Sequence, residues 1–264
     1  MECLWALLSL LAVSIILAED LNKTIGSQRP QPRVINGHLI TNEKLGGYLI
    51  AMRYNDEFVC GGTLIKDTIV LTAAHCFIRR YTKSKWLAEG GISTLTEEGV
   101  QRHIKDFAWP QTFRKKTMNM DVAVVLLDMP MVGLGIDTIP LCSHSVTTST
   151  MLRVSGWGLT YRRTIEPENY LRAVAVPVID RNQCRQVYRP KIRITINMIC
   201  AAVLGEKDAC IYDSGGPLVY NNEVCGIVSF GIGCASKKYP GVYTDVYTMA
   251  SYIKKTIKKF LMLH

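Results

Sequence analysis

The sequence DSGGP at residues 213–217 is the most informative segment of the chain when it is combined with two segments that precede it, TAAHC at 72–76 and DVAV at 121–124. Each segment alone has an ordinary explanation: a structural histidine, an aspartate that caps a turn, and a serine in typical turn composition. Together they supply a nucleophile, a base and a carboxylate that orients the base. That set is the one required for acyl transfer by an activated serine.

The three side chains follow the order His75, Asp121, Ser214 along the chain. Lipase-like α/β-hydrolases carry the same set as serine, acid, histidine, and subtilisins carry it as aspartate, histidine, serine, so neither order fits. The order and its surroundings resemble the chymotrypsin-like (trypsin family) serine proteases. Further matching segments extend the resemblance over residues 34–264: RVING at 33–37, CGGTLI at 60–65, SGWG at 155–158, SFG at 229–231 and YPGVY at 239–243.

Short apolar runs separated by Gly, Asn, Asp and Pro follow residue 33 and predict an all-β fold. The tail differs, because Ile253, Ile257 and Phe260 or Leu261 fall three to four residues apart between lysines, which predicts a closing amphipathic α-helix. The family resemblance implies two antiparallel six-stranded β-barrels with the active site in the cleft between them. It also implies that the chain crosses from one barrel to the other near residues 140–150.

The resemblance assigns a role to each side chain of the set. Ser214 Oγ attacks the scissile carbonyl, while His75 accepts its proton and later gives it to the leaving amine. Asp121 holds the imidazole tautomer and stabilises the imidazolium. The backbone N–H groups of Tyr212 and Ser214 form the oxyanion hole. We expect a serine endopeptidase that uses no cofactor.

Asp208 lies six residues before Ser214, where the family has the floor of its primary specificity pocket. Gly231 and Gly241 match wall positions whose missing side chains let a long substrate residue reach down. A buried carboxylate at the end of a deep slot selects Arg or Lys, because any other occupant leaves that charge unpaired. We therefore expect cleavage after Arg or Lys. The alternative is that Asp208 is a surface turn residue.

The N-terminus has the pattern of a secretory signal. Residues 4–18 are nearly all apolar, and this stretch is shorter than the roughly 20 residues that a membrane-crossing helix needs. It predicts a signal peptide at residues 1–18 and a secreted, extracellular protein without a membrane span, with a retained N-terminal anchor as the alternative. Residues 19–33 are polar, contain two prolines and predict an exposed leader, with a glycosylation sequon at Asn22.

By the resemblance, the leader is an activation propeptide, and residues 34–264 form the protease domain. A trypsin-like protease would cut after Arg33, and the freed Val34 ammonium would pair with Asp213. Breaking such a buried pair is worth about 3–5 kcal/mol, enough to switch the pocket and the oxyanion hole between disordered and ordered states. Self-activation is the alternative, since Arg33 suits an Asp208 pocket. We expect a monomer whose other partners are protein or peptide substrates and protein inhibitors.

In an oxidising extracellular environment, paired cysteines form disulfides rather than bind metal. The sequence contains no C-x-x-C pair, which argues against a zinc site. Cys3 leaves with the signal peptide, so eight cysteines remain. The resemblance implies bridges from Cys60 to Cys76, from Cys184 to Cys200 and from Cys210 to Cys234. Cys142 and Cys225 are the two left over and are predicted to pair.

Tyr212 departs from the family, which has Gly there almost without exception. If the backbone keeps its shape, the phenol covers the leaving-group side of the cleft, at a strain cost of about 1–3 kcal/mol. If the peptide flips, one oxyanion donor is lost, at about 10²–10³ in turnover. We expect a working protease of restricted specificity. The alternative is a weakly active or non-catalytic homologue that binds partners.

The formal net charge is +9, from 31 Lys and Arg against 22 Asp and Glu. The cations are scattered along the sequence, and no aromatic-interleaved motif accompanies them, so we expect no nucleic acid partner. A solvated surface is the default explanation, and a patch for a sulfated glycan or an acidic substrate is the alternative. Glu89, Glu97 and Glu98 lie near the family's metal loop, but the segment is shortened, and we expect no metal.

Overall fold

The structure is a computed structural model that describes residues 37–158, 169–189, 191–209 and 213–263. The predicted signal peptide and propeptide, with Asn22, Arg33 and Val34, lie outside the described residues. So do Cys210 and Tyr212. Among the described residues, no helix is both long and apolar enough to span a membrane.

Six antiparallel strands of the first half of the chain close into one barrel, in the order β2-β3-β4-β7-β6-β5, and β5 pairs again with β2. Nearly all side chains of the central strands β4 and β7 are buried apolar residues, which form the core of the barrel. The strands are β2 (Leu49–Tyr54), β3 (Glu57–Lys66), β4 (Ile69–Thr72), β5 (Trp86–Gly90), β6 (Val100–Ala108) and β7 (Ala123–Leu127).

Six strands of the second half form a second closed ring, in the order β8-β9-β10-β13-β12-β11, because β11 pairs with β8. The short strand β1 (His38–Leu39) pairs antiparallel with Arg172 and Ala173 at the start of β9. The predicted fold class, two antiparallel six-stranded barrels, is confirmed. The strands of this barrel are β8 (Met151–Gly156), β9 (Arg172–Ile179), β10 (Met198–Ala201), β11 (Pro217–Tyr220), β12 (Glu223–Phe230) and β13 (Gly241–Asp245).

Both barrels contain a hairpin whose turn is encoded locally. Asn55 and Asp56 join β2 to β3 with φ values of 51° and 65°, and Asn221 and Asn222 join β11 to β12 with 46° and 57°. Two-residue hairpin turns favour such positive φ values because their twist matches that of the strands, and Asn and Asp tolerate them. The turn chemistry therefore helps to set the register of each hairpin.

The described residues include three α-helices: α1 (Asn42–Leu45), α2 (Arg181–Tyr188) and α3 (Val246–Leu263). The predicted closing helix is α3. It buries Ile253, Ile257 and Phe260, whereas Leu261 is exposed, so Phe260 continues the apolar face. Asp180 caps the N-terminus of helix α2, and its carboxylate accepts hydrogen bonds from the backbone N–H groups of Asn182 and Gln183.

The chain passes from the first barrel to the second over residues 128–150, between β7 and β8. A disulfide joins Cys142 in this segment to Cys225 in β12. Backbone hydrogen bonds from Cys142 N to Val224 O (3.0 Å) and from Val224 N to Pro140 O (2.9 Å) flank the bridge. The crossing segment is therefore fixed to the second barrel before that barrel begins.

A buried ion pair joins strands β2 and β5 of the first barrel. Arg53 Nε lies 2.6 Å from Glu89 Oε2, and the side chains are only 14% and 2% exposed. The other oxygen, Oε1, accepts from Gly99 N and from Gln101 Nε2. Both oxygens of the Glu89 carboxylate thus already have donors from the protein.

We expect Arg53→Met to lower the free energy of unfolding by about 3–5 kcal/mol, because it leaves the Glu89 charge buried without its partner. Lys83 and Asp106 form an ion pair of the same length, 2.6 Å, but with side chains 49% and 27% exposed. Lys83→Met is the matched control, and we expect a loss of about 0–1 kcal/mol. Urea unfolding of both variants measures the difference, and equal losses would contradict the prediction.

Candidate active site

His75 follows strand β4 in a short 3₁₀ turn, Ala74–Phe77. The turn is held by the disulfide between Cys60 and Cys76, one of the bridges predicted from the sequence. The backbone N–H of His75 donates to Asp121 Oδ1 (2.9 Å), and its ring Nδ1 lies 2.7 Å from Asp121 Oδ2. The backbone and the ring of the histidine are thus both fixed by one carboxylate.

Asp121 is completely buried. Besides the two contacts with His75, its Oδ2 accepts a hydrogen bond from Ser229 Oγ (2.6 Å), and its carbonyl accepts one from Thr244 Oγ1 (2.8 Å). Three donors therefore hold the two oxygens of this buried carboxylate in place. Ser229 and Thr244 belong to β12 and β13, so the second barrel holds the carboxylate that orients a histidine of the first.

Ser229 and Thr244 are functional residues that the sequence analysis missed. Ser229 lies in the SFG segment that carries the family resemblance, but its contact with Asp121 spans 108 residues of sequence. The pattern around it is an ordinary strand end and gives no signal for this hydrogen bond. Thr244, 123 residues from Asp121, carries no local signal either.

Ser214 lies where the two barrels meet. Its carbonyl accepts a hydrogen bond from Gly61 N in β3 (2.8 Å), and Gly61 follows Cys60 of the bridge beside His75. The next residue, Gly215, has φ +80°, and a Cβ there would overlap Thr72 Oγ1 and Gly61 O. Glycine is therefore required immediately after the serine. The first barrel positions both the histidine and the backbone of the serine.

A cavity of about 300 Å³ opens beside Ser214. Its lining includes Phe230, both glycines that the sequence predicted, Gly231 and Gly241, and the ring of Tyr243. The glycine walls leave room for a long, narrow side chain. The geometry therefore provides a slot next to the candidate nucleophile.

Asp208 lies in the protein interior immediately behind this slot, and not on the protein surface. It is 1% exposed, and a Cβ at Gly241 would overlap its Oδ1 atom. The alternative that Asp208 is a surface turn residue is wrong. Asp208 Oδ1 and the Tyr243 hydroxyl are both buried without a hydrogen-bond partner among the described residues. Burial raises the pKa of the Asp208 carboxyl to about 8, although backbone N–H groups such as that of Ala209 oppose the shift.

Asp213, the predicted partner of Val34, is buried, and its Oδ1 accepts a hydrogen bond from Gly158 N (2.8 Å). Any Cβ at Gly156 or Gly158 would overlap the carboxylate of Asp213. These two glycines of the SGWG segment therefore make room for it. Val34 lies outside the described residues, and the predicted pair stays a prediction.

The described residues contain the predicted bridges Cys60–Cys76, Cys142–Cys225 and Cys184–Cys200. Cys234 is also disulfide-bonded. Its predicted partner, Cys210, lies outside the described residues, as does Tyr212 of the predicted oxyanion hole.

Two clusters of potential metal ligands occur among the described residues, one around His75 and one around His144. Each contains cysteine in a disulfide, which has no thiolate to offer a metal. Glu97, near the family's metal loop, accepts hydrogen bonds from the backbone of Ser93 and Thr94. Neither cluster forms a complete ligand set.

Comparisons with known proteins match this fold and show the family of the chain. The family model described as Trypsin matches residues 34–253. Seminase of Drosophila melanogaster is 57% identical over 231 residues, which are 88% of this chain and 84% of that protein. Trypsin I-P1 of Gallus gallus is 38% identical over 80% of this chain and 84% of its own. The solved structure of neuropsin, a serine protease expressed in the limbic system of mouse brain, is similar with a TM-score of 0.76 and 27% identity, covering 84% of this chain and 98% of that one.

Proposed function

The chain belongs to the trypsin family and is a serine endopeptidase that acts on protein substrates, and we propose that it cleaves after Arg or Lys with Ser214 as nucleophile. The contact between His75 and the buried Asp121 is the observation that carries this proposal. His75 takes the proton of the Ser214 hydroxyl as Oγ attacks the carbonyl carbon, and returns it to the leaving amine. Asp121 keeps Nδ1 protonated, so that Nε2 is free to accept.

The specificity part of the proposal rests on the buried end of the slot. Asp208 Oδ1 and the Tyr243 hydroxyl both lack partners among the described residues, and both lie at or behind the slot lining. A guanidinium or ammonium group brings charge and donors to that end, whereas an apolar side chain leaves the carboxylate unpaired. Cleavage sites mapped by mass spectrometry in a denatured protein test this directly. Cuts after residues other than Arg and Lys would overturn it.

The pKa of Asp208, about 8, predicts how the affinity for a cationic ligand depends on pH. A cationic ligand binds the charged carboxylate, so below that pH binding must first remove a proton. We expect benzamidine to bind the activated Ser214→Ala protein about tenfold more tightly per pH unit up to about pH 8, and constantly above it. Asp208→Asn in the same protein is the control, because it removes the Asp208 carboxyl and leaves the other side chains of the site unchanged. Constant affinity of the Ser214→Ala protein between pH 5 and 8 would contradict the prediction.

The proposal includes secretion as an inactive precursor. Residues 1–18 would be removed as a signal peptide, and residues 19–33 would be released when a trypsin-like protease, or the enzyme itself, cuts after Arg33. The new Val34 ammonium would pair with the buried Asp213 carboxylate and order the neighbouring pocket and oxyanion hole. The mature enzyme, residues 34–264, would act as a monomer and be open to protein inhibitors.

Tyr212 in the oxyanion hole is the one departure that bears on turnover. We propose that it restricts which substrates and inhibitors fit and leaves catalysis in place, because the His75–Asp121 contact and the slot are both present. The competing function is a binding protein on the same fold. It predicts that Tyr212→Gly gains turnover where the parent has none, whereas our proposal predicts turnover in both.

A further inference from the structure

A groove of about 1300 Å³ lies beside the candidate active site. One wall is the loop that leads into Asp121, and the other consists of helix α2 and the chain that follows it. Among the residues that the structure describes, five cationic side chains and no carboxylate line the groove. We call it the basic groove, defined by Lys116, Arg185, Arg189, Lys191 and Arg193. Like charges gathered on both walls make a strong positive potential inside.

The walls of the basic groove are tied together by hydrogen bonds. Asn119, two residues before Asp121, accepts from Thr195 Oγ1 (2.7 Å) and from Asn197 Nδ2 (3.1 Å) on the opposite side. Arg185 Nε donates to Ile194 O (3.1 Å). These hydrogen bonds join the two walls of the groove and hold Arg185 against its own wall.

None of the five cations forms an ion pair with a carboxylate among the described residues. Among the described residues, Arg53, Lys83 and Arg181 do pair with carboxylates, and all three lie outside the groove lining. Five unpaired cations around one groove repel one another, and an anionic ligand would relieve that repulsion. The charge pattern thus points to an anionic ligand.

The positive charge continues from the groove to the reacting groups. Lys115, next to Lys116, lines a second cavity together with His75, Arg79 and Arg80. Helix α2 also contacts the slot, because its Tyr188 ring packs edge-on against the ring of Phe230, with centroids 5.8 Å apart, and Phe230 lines the slot. A chain bound in the basic groove would therefore lie next to a polypeptide held at Ser214.

The lining of the basic groove also includes three isoleucines, Ile192, Ile194 and Ile196. Ile196 is 62% exposed. A sulfated polysaccharide would neutralise the cations but has no apolar group to cover this side chain. An acidic polypeptide can do both, since it carries carboxylates and apolar side chains on one strand.

We propose that the basic groove binds an acidic segment of the substrate polypeptide, one that carries an apolar side chain among its carboxylates. This inference rests on the proposed function, because it takes the bound chain to be the one cleaved at Ser214. It assigns part of the substrate preference to a surface outside the Arg and Lys slot. The contribution would be largely electrostatic, so it would fall as salt rises.

The test uses peptides with one cleavable Arg and an added segment of three glutamates and a leucine, placed before the Arg in one series and after it in another. Each has a twin with glutamine in place of glutamate. The variant is Arg189→Glu/Lys191→Glu/Arg193→Glu. The control is Lys254→Glu/Lys255→Glu/Lys258→Glu, which changes the net charge equally on an exposed face of α3. A short Arg substrate without the added segment reports whether the slot and the catalytic groups are intact.

At low salt we expect the glutamate peptide of at least one series to exceed its twin in kcat/KM by about tenfold or more. In the groove variant the kcat/KM values of the glutamate peptide and its glutamine twin should become equal, whereas the control variant should keep the difference. The parent and both variants should cut the short substrate equally well. Equal ratios in both variants, or no advantage of glutamate in either series, would overturn the proposal. Binding of labelled peptide to Ser214→Ala gives a readout that does not need catalysis. Groove-dependent binding of a sulfated polysaccharide without binding of the acidic peptide would also overturn it.

Discussion

Asp208→Ser is expected to lower kcat/KM for Arg and Lys substrates by about 10³-fold. The substitution removes the carboxylate behind the slot and leaves the substrate cation buried without a partner, and a penalty of about 3–5 kcal/mol corresponds to about 10²–10⁴ in rate. Substrates with small apolar residues should be affected far less. Asp128→Ser, which removes a carboxylate at an exposed position, is the control. Retention of Arg cleavage within tenfold of the parent would contradict the assignment.

The same variant should gain stability at high pH. The folded-state pKa of Asp208, about 8, lies above the unfolded value of about 3.9, so the charged carboxylate destabilises the fold. That cost is absent below about pH 4, grows as the pH rises and is complete above about pH 8. The free energy of unfolding of Asp208→Ser should therefore exceed that of the parent by more at pH 8 than at pH 5. A constant difference would place the carboxyl elsewhere.

Asp121→Asn is expected to lower kcat by about 10⁴-fold with little change in KM. Both oxygens of Asp121 accept hydrogen bonds, Oδ1 from His75 N and Oδ2 from His75 Nδ1 and Ser229 Oγ. An amide offers one acceptor, so one of these donors would face an NH₂ group, and the imidazole would lose its required tautomer. Single-turnover and steady-state kinetics separate kcat from KM.

Asp128→Asn serves as the matched control for that measurement, because it makes the same chemical change at an exposed carboxylate. A fall of less than tenfold in Asp121→Asn would mean that His75 is oriented by other contacts. A rise in KM with kcat unchanged would place Asp121 in substrate binding instead.

Local patterns in the sequence predicted much of the fold and the pocket. Short apolar runs separated by Gly, Asn, Asp and Pro predicted an all-β fold, and the three-to-four spacing of Ile253, Ile257 and Phe260 predicted the closing helix. The order of His75, Asp121 and Ser214 led to the family and thus to two barrels. Each of these signals lies within a few residues or depends on order alone.

Contacts between distant segments could not be predicted. Ser229 and Asp121 are 108 residues apart, and no local pattern marks their hydrogen bond. The basic groove was hidden for the same reason. Its cations come from a loop before Asp121 and, more than sixty residues later, from helix α2 and the chain that follows it, and along the sequence they look like scattered surface charge. Only the folded chain shows that both walls carry the same sign.

The most direct test of the account follows hydrolysis of matched small Arg, Lys, Phe and Ala substrates by protein cut at Arg33 with an added protease that is then removed. We predict turnover of the Arg and Lys substrates by the parent and none by Ser214→Ala. Activity that persists in Ser214→Ala, or a parent that prefers Phe or Ala, would contradict the central claim that Ser214 acts beside an Asp208 slot.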